Sequence, residues 1–233
     1  MRKMAFNLKF LVLFLGVVLT FGVVTSASDA KSLEIGDTFI FGRYEQDNNY
    51  SNGKEPIEWI VLDKKKDEVL LISKYCLETR QYKPLPFLVA IFMSVSWEDC
   101  ELRKWLNSSF LHDAFDSKEQ EKISKKRISN LDNTKYNTKG GRDTEDSVFL
   151  LSINEAVRYF SSNGARQASP TLYALNKEPR VEKGFCMWWL RSPGYSSIHV
   201  AEIDCDGSMS YWGAEAQVEF IAVRPALWLD ISK

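Results

Sequence analysis

The sequence is poor in the residues and motifs on which common catalytic and nucleic-acid-binding sites depend. Its 233 residues include two histidines, His112 and His199, and no GxSxG, HExxH, CxxC or P-loop motif. Lys and Arg total 30 against 31 Asp and Glu, so there is no excess of positive charge. Because nucleic acids require a basic protein face, this balance argues against nucleic-acid binding, and no familiar enzyme class is specified.

The first 27 residues have the plan of a secretory signal peptide. Residues 1–9 carry three basic side chains and no acidic one, and an uncharged, mostly apolar run follows from Phe10 to Val24. A membrane-spanning helix needs about 20 apolar residues, so cleavage after Ala27 is favoured over an uncleaved anchor. Cleavage lowers Lys+Arg from 30 to 27 against 31 acidic residues, which changes the formal charge from -1 to -4. We expect a secreted or cell-surface protein that meets the membrane only through this segment.

The remaining chain is predicted to be one α+β domain, residues 32–231. Runs rich in β-branched and aromatic residues predict strands over 37–44, 57–63, 68–73, 187–191, 198–204, 209–212 and 222–229. Asn52-Gly53 and Asp206-Gly207 are typical of hairpin turns. Strands on both sides of a helical middle indicate a single α+β domain.

The helical middle is marked by residue pairs typical of capping boxes. Helix starts are predicted at Ser96 with Asp99, Ser117 with Gln120 and Ser152 with Glu155. The helix after Ser152 carries an apolar stripe that is expected to face the core, made of Ile153, Ala156, Val157 and Phe160.

Four cysteines would lie outside the cell, where disulfides persist. If 187–191 and 200–204 pair as antiparallel strands, Cys186 lies opposite Cys205. This register favours a Cys186–Cys205 disulfide and, by default, a Cys76–Cys100 disulfide. Four buried free thiols are the alternative, since free cysteine behaves as a small hydrophobic residue.

Several phrases occur in order along the chain: IGDTFIFGRYEQ, EPIEWIVLD, LLISKYCLETRQY, LRKWLNSSFL, DSVFLLSINEAVRYF, WWLRSPGYSS and VRPALWL. On these phrases the chain resembles the bacterial family called domain of unknown function 6273, over roughly Leu33 to Leu229. That family resembles the C-type-lectin-like superfamily, in the branch of formylglycine-generating enzymes and the variable ligand-binding proteins of diversity-generating retroelements. The resemblance implies a C-type-lectin-like fold whose C-terminal segment displays a binding surface. Two places depart from the family pattern, the apolar run Phe87 to Met93 and Ala222, where relatives have a glycine.

Arg191 in WWLRSP and Arg224 in AVRPAL stand among apolar residues. A buried guanidinium must find carboxylates or carbonyls, because an unpaired buried charge is very costly. We therefore expect Trp188 and Trp189 to be core residues and both arginines to tie the core together. The candidate carboxylate partners are Asp146, Glu202 and Asp230.

The segment after Arg191 is the predicted binding surface. It is rich in tyrosine, serine and tryptophan, which provide rigid contact area and adaptable hydrogen bonds. The candidate ligand-binding residues are Tyr195, Ser197, His199, Ser210, Tyr211, Trp212 and Glu215. An ordinary polar sheet face is the alternative interpretation.

The sequence favours a non-catalytic binding module whose partner is an extracellular protein, a peptide or a glycan. A hydrolase or oxidase with an unfamiliar site and a purely structural interaction module are the alternatives. Formylglycine-generating enzymes use closely spaced cysteines, and Cys186 and Cys205 are too far apart in sequence to match them. No cofactor is expected, although the cluster Asp143, Glu145 and Asp146 would suit calcium. The run Phe87 to Met93 is interpreted as a buried strand, with a partner-binding patch or a membrane-touching loop as alternatives.

Overall fold

The computed structural model describes residues 23–24, 30–84 and 94–233. The predicted signal peptide, apart from Val23–Val24, and the apolar run Phe87 to Met93 lie outside the described residues. The strands are β1 (Val23–Val24), β2 (Thr38–Tyr44), β3 (Glu55–Lys65), β4 (Glu68–Ser73), β5 (Glu78–Thr79), β6 (Ile123–Ser124), β7 (Lys126–Ile128), β8 (Thr144–Asp146), β9 (Val148–Phe149), β10 (Val181–Glu182), β11 (Phe185–Cys186), β12 (Trp188–Pro193), β13 (His199–Ile203), β14 (Met209–Glu215), β15 (Ala222–Val223) and β16 (Ala226–Asp230).

The first sheet has the order β1-β2-β3-β4-β16-β6, and β9 also pairs with β16. Strands β2, β3 and β4 form an antiparallel meander whose first turn contains Asn52-Gly53, as predicted. The C-terminal strand β16 then pairs antiparallel with β4, from Ala226 opposite Ile72 to Asp230 opposite Glu68. The C-terminal strand is therefore an interior strand of the sheet that also contains the first strands of the chain.

The second sheet has the order β14-β13-β12-β15-β5. Strands β12 and β13 are antiparallel with Trp188 opposite Ile203, which is the predicted register. Strand β14 follows β13 through the Asp206-Gly207 turn and forms the edge of the sheet. The two remaining pairs, β7 with β8 and β10 with β11, are short antiparallel ribbons.

The single strand predicted over 222–229 is two strands in different sheets. Strand β15 belongs to the second sheet and β16 to the first, with Arg224-Pro225 between them. Proline has no backbone N–H to donate to a ladder, so the pairing is interrupted at this point. The chain therefore passes from one sheet to the other within two residues.

The helices occupy the middle of the chain and are short. The α-helices are α1 (Glu101–Trp105), α2 (Leu111–Ala114), α3 (Ser117–Lys122), α4 (Ile153–Tyr159), α5 (Asn163–Arg166) and α6 (Leu172–Leu175). A π-helical turn, Leu106–Phe110, joins α1 to α2, and 3-10 turns lie at Ala30–Ser32 and Trp97–Asp99. Strands around a helical middle are consistent with the predicted α+β class.

Two of the three predicted capping boxes are present, those of Ser96 with Asp99 and Ser152 with Glu155. The third prediction is wrong by one residue, because the box of α3 is formed by Asp116 with Glu119. An aspartate carboxylate accepts the N–H of the third helical residue as well as a serine hydroxyl does, so Ser117 becomes the first helical residue instead.

The apolar stripe of α4 is narrower than predicted. Ile153, Ala156 and Phe160 are buried, whereas Val157 is 55% exposed. This seven-residue helix packs against the core on one side only, so it buries a narrow stripe of its surface. Val157 lies outside that stripe. This exposed valine faces a groove that is described below.

Candidate functional site

Arg191 is buried in the core and ties three segments together. Its Nη1 donates to the carbonyl of Leu150 at 2.7 Å and pairs with the Glu155 carboxylate, and its Nη2 donates to the carbonyl of Ser129 at 3.2 Å. Burial would raise the pKa of Glu155, but the Arg191 charge and the N–H of Ser152 overcome it and hold that pKa below its usual range. The same carboxylate closes the capping box of α4, so this network fixes the start of that helix.

The predicted carboxylate partners of Arg191 and Arg224 are wrong. Asp146 accepts hydrogen bonds from Arg103 Nε at 2.6 Å and from Trp97 Nε1 at 2.8 Å, and Asp230 accepts from Ser232. Glu155 was not predicted as a partner because its contact with Arg191 joins residues 36 positions apart.

Arg224 is 1% exposed and is satisfied by carbonyls and rings instead of a carboxylate. Its Nε donates to the Ser73 carbonyl at 2.9 Å and its Nη1 donates to the Arg166 carbonyl at 3.1 Å. Its guanidinium lies 5.1 Å from the Trp188 ring and 5.5 Å from the Phe160 ring. Trp188 and Trp189 are fully buried.

All four cysteines are buried free thiols, in contrast to the two predicted disulfides. The predicted register is present at Trp188 and Trp189 and shifts before Pro193, which lies opposite Val200. Cys186 belongs to β11, where it lies opposite Val181. Its thiol interacts with the Cys76 thiol, and this hydrogen bond together with burial raises the pKa of Cys186. The Cys205 sulfur instead donates to the Arg180 carbonyl.

The predicted Cys76–Cys100 pair is also not formed. The Cys100 sulfur donates to the Trp97 carbonyl, and it caps α1 by accepting the N–H of Arg103. Burial raises the pKa of the Cys100 thiol to about 12. This thiol is a capping group in the core.

Three aromatic rings form a cluster, called the aromatic cluster below: Tyr136 from the loop between β7 and β8, Tyr195 from the turn after β12, and Trp212 from β14. The rings of Tyr195 and Trp212 are stacked, with centroids 3.6 Å apart and planes 18° apart. Tyr136 lies 5.8 Å from Trp212 and 6.3 Å from Tyr195, nearly perpendicular to Trp212. Trp212 is 53% exposed.

These distances show which face of Trp212 is uncovered within the aromatic cluster. If Tyr136 covered the face of Trp212 opposite Tyr195, it would lie much farther from Tyr195 than the observed 6.3 Å. Tyr136 therefore stands beside the stacked pair and not on top of it. The outer face of Trp212 is left available for a ligand to stack on.

The aromatic cluster stands on a rigid backbone. The N–H of Tyr195 donates to the Trp212 carbonyl at 2.8 Å, and the side-chain amide of Asn133 donates to the carbonyls of Pro193 and Tyr211, both at 2.9 Å. At Gly213 φ is +79°, and an added Cβ would lie 2.3 Å from the Val200 carbonyl oxygen. The strands under the aromatic cluster thus approach so closely that only glycine fits.

The other predicted binding residues are distributed around this cluster. His199 lies against the Tyr195 ring at 4.2 Å, and Glu215 lies opposite His199 in the β13–β14 register. Ser197 is exposed beyond the turn, and Ser210 accepts the N–H of Gly213 at 3.1 Å.

Tyr211 lies on the opposite side of β14 from Trp212, since neighbouring strand residues point to opposite faces. It lines a groove of about 390 Å³, and the other wall is formed by Asn154 and Val157 of α4. Leu131, Asn133 and Thr134, from the loop that also carries Tyr136, line the groove as well.

The loop 131–136 was not predicted as part of the site. It contributes Tyr136 to the aromatic cluster and Leu131 to the groove, and Lys135 places its Nζ 5.0 Å from the Tyr211 ring and 5.7 Å from the Tyr136 ring. The only local signal was an aromatic residue in a polar stretch, and its neighbours in space lie about 60 residues or more away along the chain.

Glu202 lies in β13, within the β13–β14 hairpin that carries Trp212 of the aromatic cluster. It is 4% exposed, lies opposite Ser210 and Trp189 in the sheet, and its Oε2 has no hydrogen-bond partner. Burial raises the pKa of Glu202 to about 7, and the hydrogen bond with Ser210 offsets only part of this shift.

Both histidines have a polar neighbour. Ser196 Oγ lies 2.8 Å from His199 Nδ1 within a turn in which the N–H of His199 donates to the Ser196 carbonyl. Burial lowers the pKa of His199, although the Glu215 charge opposes this effect. His112 lines a cavity of about 280 Å³ together with Ser109.

The carboxylates that the sequence suggested for calcium do not converge. Asp146 is fully buried and holds Arg103, whereas the side chain of Glu145 is 72% exposed on the other face of β8. Asp143 pairs with a further arginine, Arg127, at 3.1 Å.

A different group, Glu45, Asp47 and Glu55, could hold a metal ion, because its carboxylate oxygens lie within 4.8 Å of one another. The same carboxylates accept backbone N–H groups, Glu55 from Gln46 at 2.8 Å and Glu45 from Asn49 at 3.0 Å. These hydrogen bonds order the β2–β3 loop by themselves.

Residues 66–231 match the family described as a domain of unknown function (DUF6273), and the chain belongs to this family. No curated protein and no solved structure matches the chain. Among the residues that the structure describes, no helix is long and apolar enough to cross a membrane.

Proposed function

We propose that the protein is an exported, non-catalytic binding module and that the hairpin segment 195–215 is its binding surface. The observation that carries the proposal is the exposed ring of Trp212, stacked on Tyr195 with its outer face uncovered by the aromatic cluster. A rigid aromatic residue offers a large contact area at a low cost in conformational entropy. The partner is an extracellular protein, a peptide or a glycan.

We further propose that the fold is C-type-lectin-like, of the formylglycine-generating-enzyme-like branch. Two features favour it: strand β16 returns to pair with β4 beside the N-terminal meander, and the β13–β14 hairpin lies at the edge of a separate sheet. Export to the medium or the cell surface is proposed from the signal-peptide pattern of residues 1–27.

The test is a screen of the full-length chain, expressed so that its N-terminal segment is processed naturally, on glycan and peptide arrays. We expect Trp212→Ala to abolish binding of the ligand found and Tyr211→Ala to weaken it. Tyr50→Ala is the matched control, because Tyr50 is an aromatic residue with 74% exposure in the distant β2–β3 loop. If Trp212→Ala and Tyr211→Ala bind the ligand as well as the parent does, the surface is assigned wrongly.

One observation favours a second candidate function, a hydrolase. The 2.8 Å contact between Ser196 and His199, with Glu215 opposite His199, brings together the residue types of a nucleophile, a base and an orienting acid. Turnover of an activated ester that is lost in Ser196→Ala would support this function, whereas ligand binding without turnover supports the module.

A further inference from the structure

The groove beside Tyr211 and Trp212 of the aromatic cluster lie on opposite faces of the edge strand β14, and the loop 131–136 contributes to both. Asn133 lines the groove, and its side-chain amide also holds the backbone of Pro193 and Tyr211 that supports the cluster. Lys135 lies over the ring of Tyr211, which lines the groove, and over the ring of Tyr136, which belongs to the cluster. A ligand on Trp212 that is long enough would therefore reach the groove by passing Lys135.

Two exposed aliphatic side chains lie on opposite sides of the groove, in a lining that is otherwise mostly polar. Leu131 on one side is 57% exposed and Val157 on the other is 55% exposed, and both line the same space of about 390 Å³. Such side chains stabilise an apolar side chain of a ligand through buried area. A sugar hydroxyl gains no hydrogen bond from these two side chains.

The junction between groove and cluster carries a positive charge. Lys135 forms no ion pair within the described ranges 30–84 and 94–233, whereas the neighbouring Asp132 is neutralised by Lys139 at 2.8 Å. A cation held over two tyrosine rings favours an acidic group on the ligand.

We propose that the ligand is a polypeptide segment in which an aliphatic side chain enters the groove and an adjacent acidic side chain pairs with Lys135, while the chain continues over Trp212. This inference rests on the proposed function of the hairpin surface and adds the chemical class of its ligand. Thr134 and Asn154 line the groove as well and offer polar groups to the polypeptide backbone.

The experiment selects binders for the full-length chain from a random peptide library and measures their affinities by fluorescence polarisation. We expect the selected peptides to share an acidic residue next to Leu, Ile or Val. Leu131→Ser and Val157→Ser should each weaken binding about fivefold, which corresponds to the loss of one apolar contact. Lys135→Glu should weaken binding about tenfold and Lys135→Arg should retain it, because the charge is kept.

Leu172→Ser is the matched control, because Leu172 is 60% exposed outside the groove, and it should leave binding unchanged. Selected peptides without the shared acidic and aliphatic pair would overturn the inference, and so would unchanged affinity in the groove variants. If the groove variants bind with unchanged affinity but Trp212→Ala still abolishes binding, the hairpin surface is correct and the ligand class is wrong. The same conclusion holds if only a glycan array yields ligands. If Trp212→Ala and Tyr211→Ala both leave ligand binding unchanged, the proposed function itself is wrong.

Discussion

Glu202 is a buried carboxylate within the β13–β14 hairpin. Its carboxylate is buried between Trp189 and Ser210, and no cation pairs with it among the described residues. A buried carboxylate without a cation favours its neutral form, which agrees with a pKa raised from 4.5 to about 7. Protonation also gives the unpartnered Oε2 a hydrogen that it can donate.

This raised pKa predicts a loss of stability as pH rises. Between about pH 4.5 and pH 7 the unfolded chain releases a proton that folded Glu202 still holds, so the free energy of unfolding falls over that interval and is level above it. The loss is on the order of 3 kcal/mol, the equivalent of the pKa shift. Urea midpoints at pH 5 and pH 8 should therefore differ for the parent protein.

Glu202→Gln should remove this part of the pH dependence, because a carboxamide fills the same space without ionising. Glu121→Gln, a change at an exposed glutamate, should keep it. A Glu202→Gln protein whose urea midpoint falls between pH 5 and pH 8 as much as that of the parent would show that Glu202 does not titrate in this way.

At the scale of elements, the β13–β14 hairpin depends on close backbone contact. Gly213 adopts a left-handed φ of +79° and would place a Cβ against Val200, which side-chain-bearing residues cannot accommodate without movement. Gly53, in the β2–β3 turn, has a similar φ of +85° but no atom within 4 Å of the position of a Cβ. A comparison of Gly53 with Gly213 therefore separates the cost of a left-handed backbone from the cost of steric overlap.

We predict that Gly53→Ala costs about 1 kcal/mol of stability, the cost of the left-handed φ alone. Gly213→Ala should cost roughly 3 kcal/mol or more, because the overlap with the Val200 carbonyl adds to that strain. Equilibrium unfolding followed by tryptophan fluorescence measures both. Equal losses in the two variants would mean that the contact at Gly213 relaxes freely.

Strands were the elements most easily predicted from the sequence. Alternating β-branched and aromatic residues located β2, β3 and β4, and the predicted antiparallel pairing of 187–191 with 200–204 set the register that pairs Trp188 with Ile203. These signals are local, and they come from side chains a few residues apart.

What the sequence did not predict depends on residues distant along the chain. The partner of Arg191, the position of Tyr136 beside Trp212 and the groove around Val157 are tertiary contacts without a local pattern. The disulfide prediction failed for a related reason: strand register placed Cys186 near Cys205, but the preceding residues turn into a separate ribbon. Pro225 was a local feature from which the division of the predicted strand 222–229 into two strands could have been predicted.

At the scale of the whole molecule, the two ends of the described chain meet in one sheet. Strand β16 lies between β4 on one side and β6 and β9 on the other, and its Leu227 is fully buried. Pairings this distant along the sequence form late and make the C-terminal strand essential to the sheet.

Deletion of residues 226–233 is predicted to abolish cooperative folding, since it removes an interior strand and leaves the backbone groups of β4 unpaired. Deletion of Ser232 and Lys233 alone, which are exposed, should leave the unfolding transition almost unchanged. Circular dichroism during thermal unfolding measures both proteins. A sharp transition in the longer deletion would contradict the central position of β16.

Strand β14 is at the edge of its sheet and contains no fully buried residue, whereas every residue of β12, two strands further in, is buried. Met209, Tyr211 and Ala214 of β14 still pack against the core, but Trp212 is 53% exposed. Substitutions at position 212 should therefore leave the packing of the domain intact, and a library randomised at that position is expected to consist mostly of folded variants.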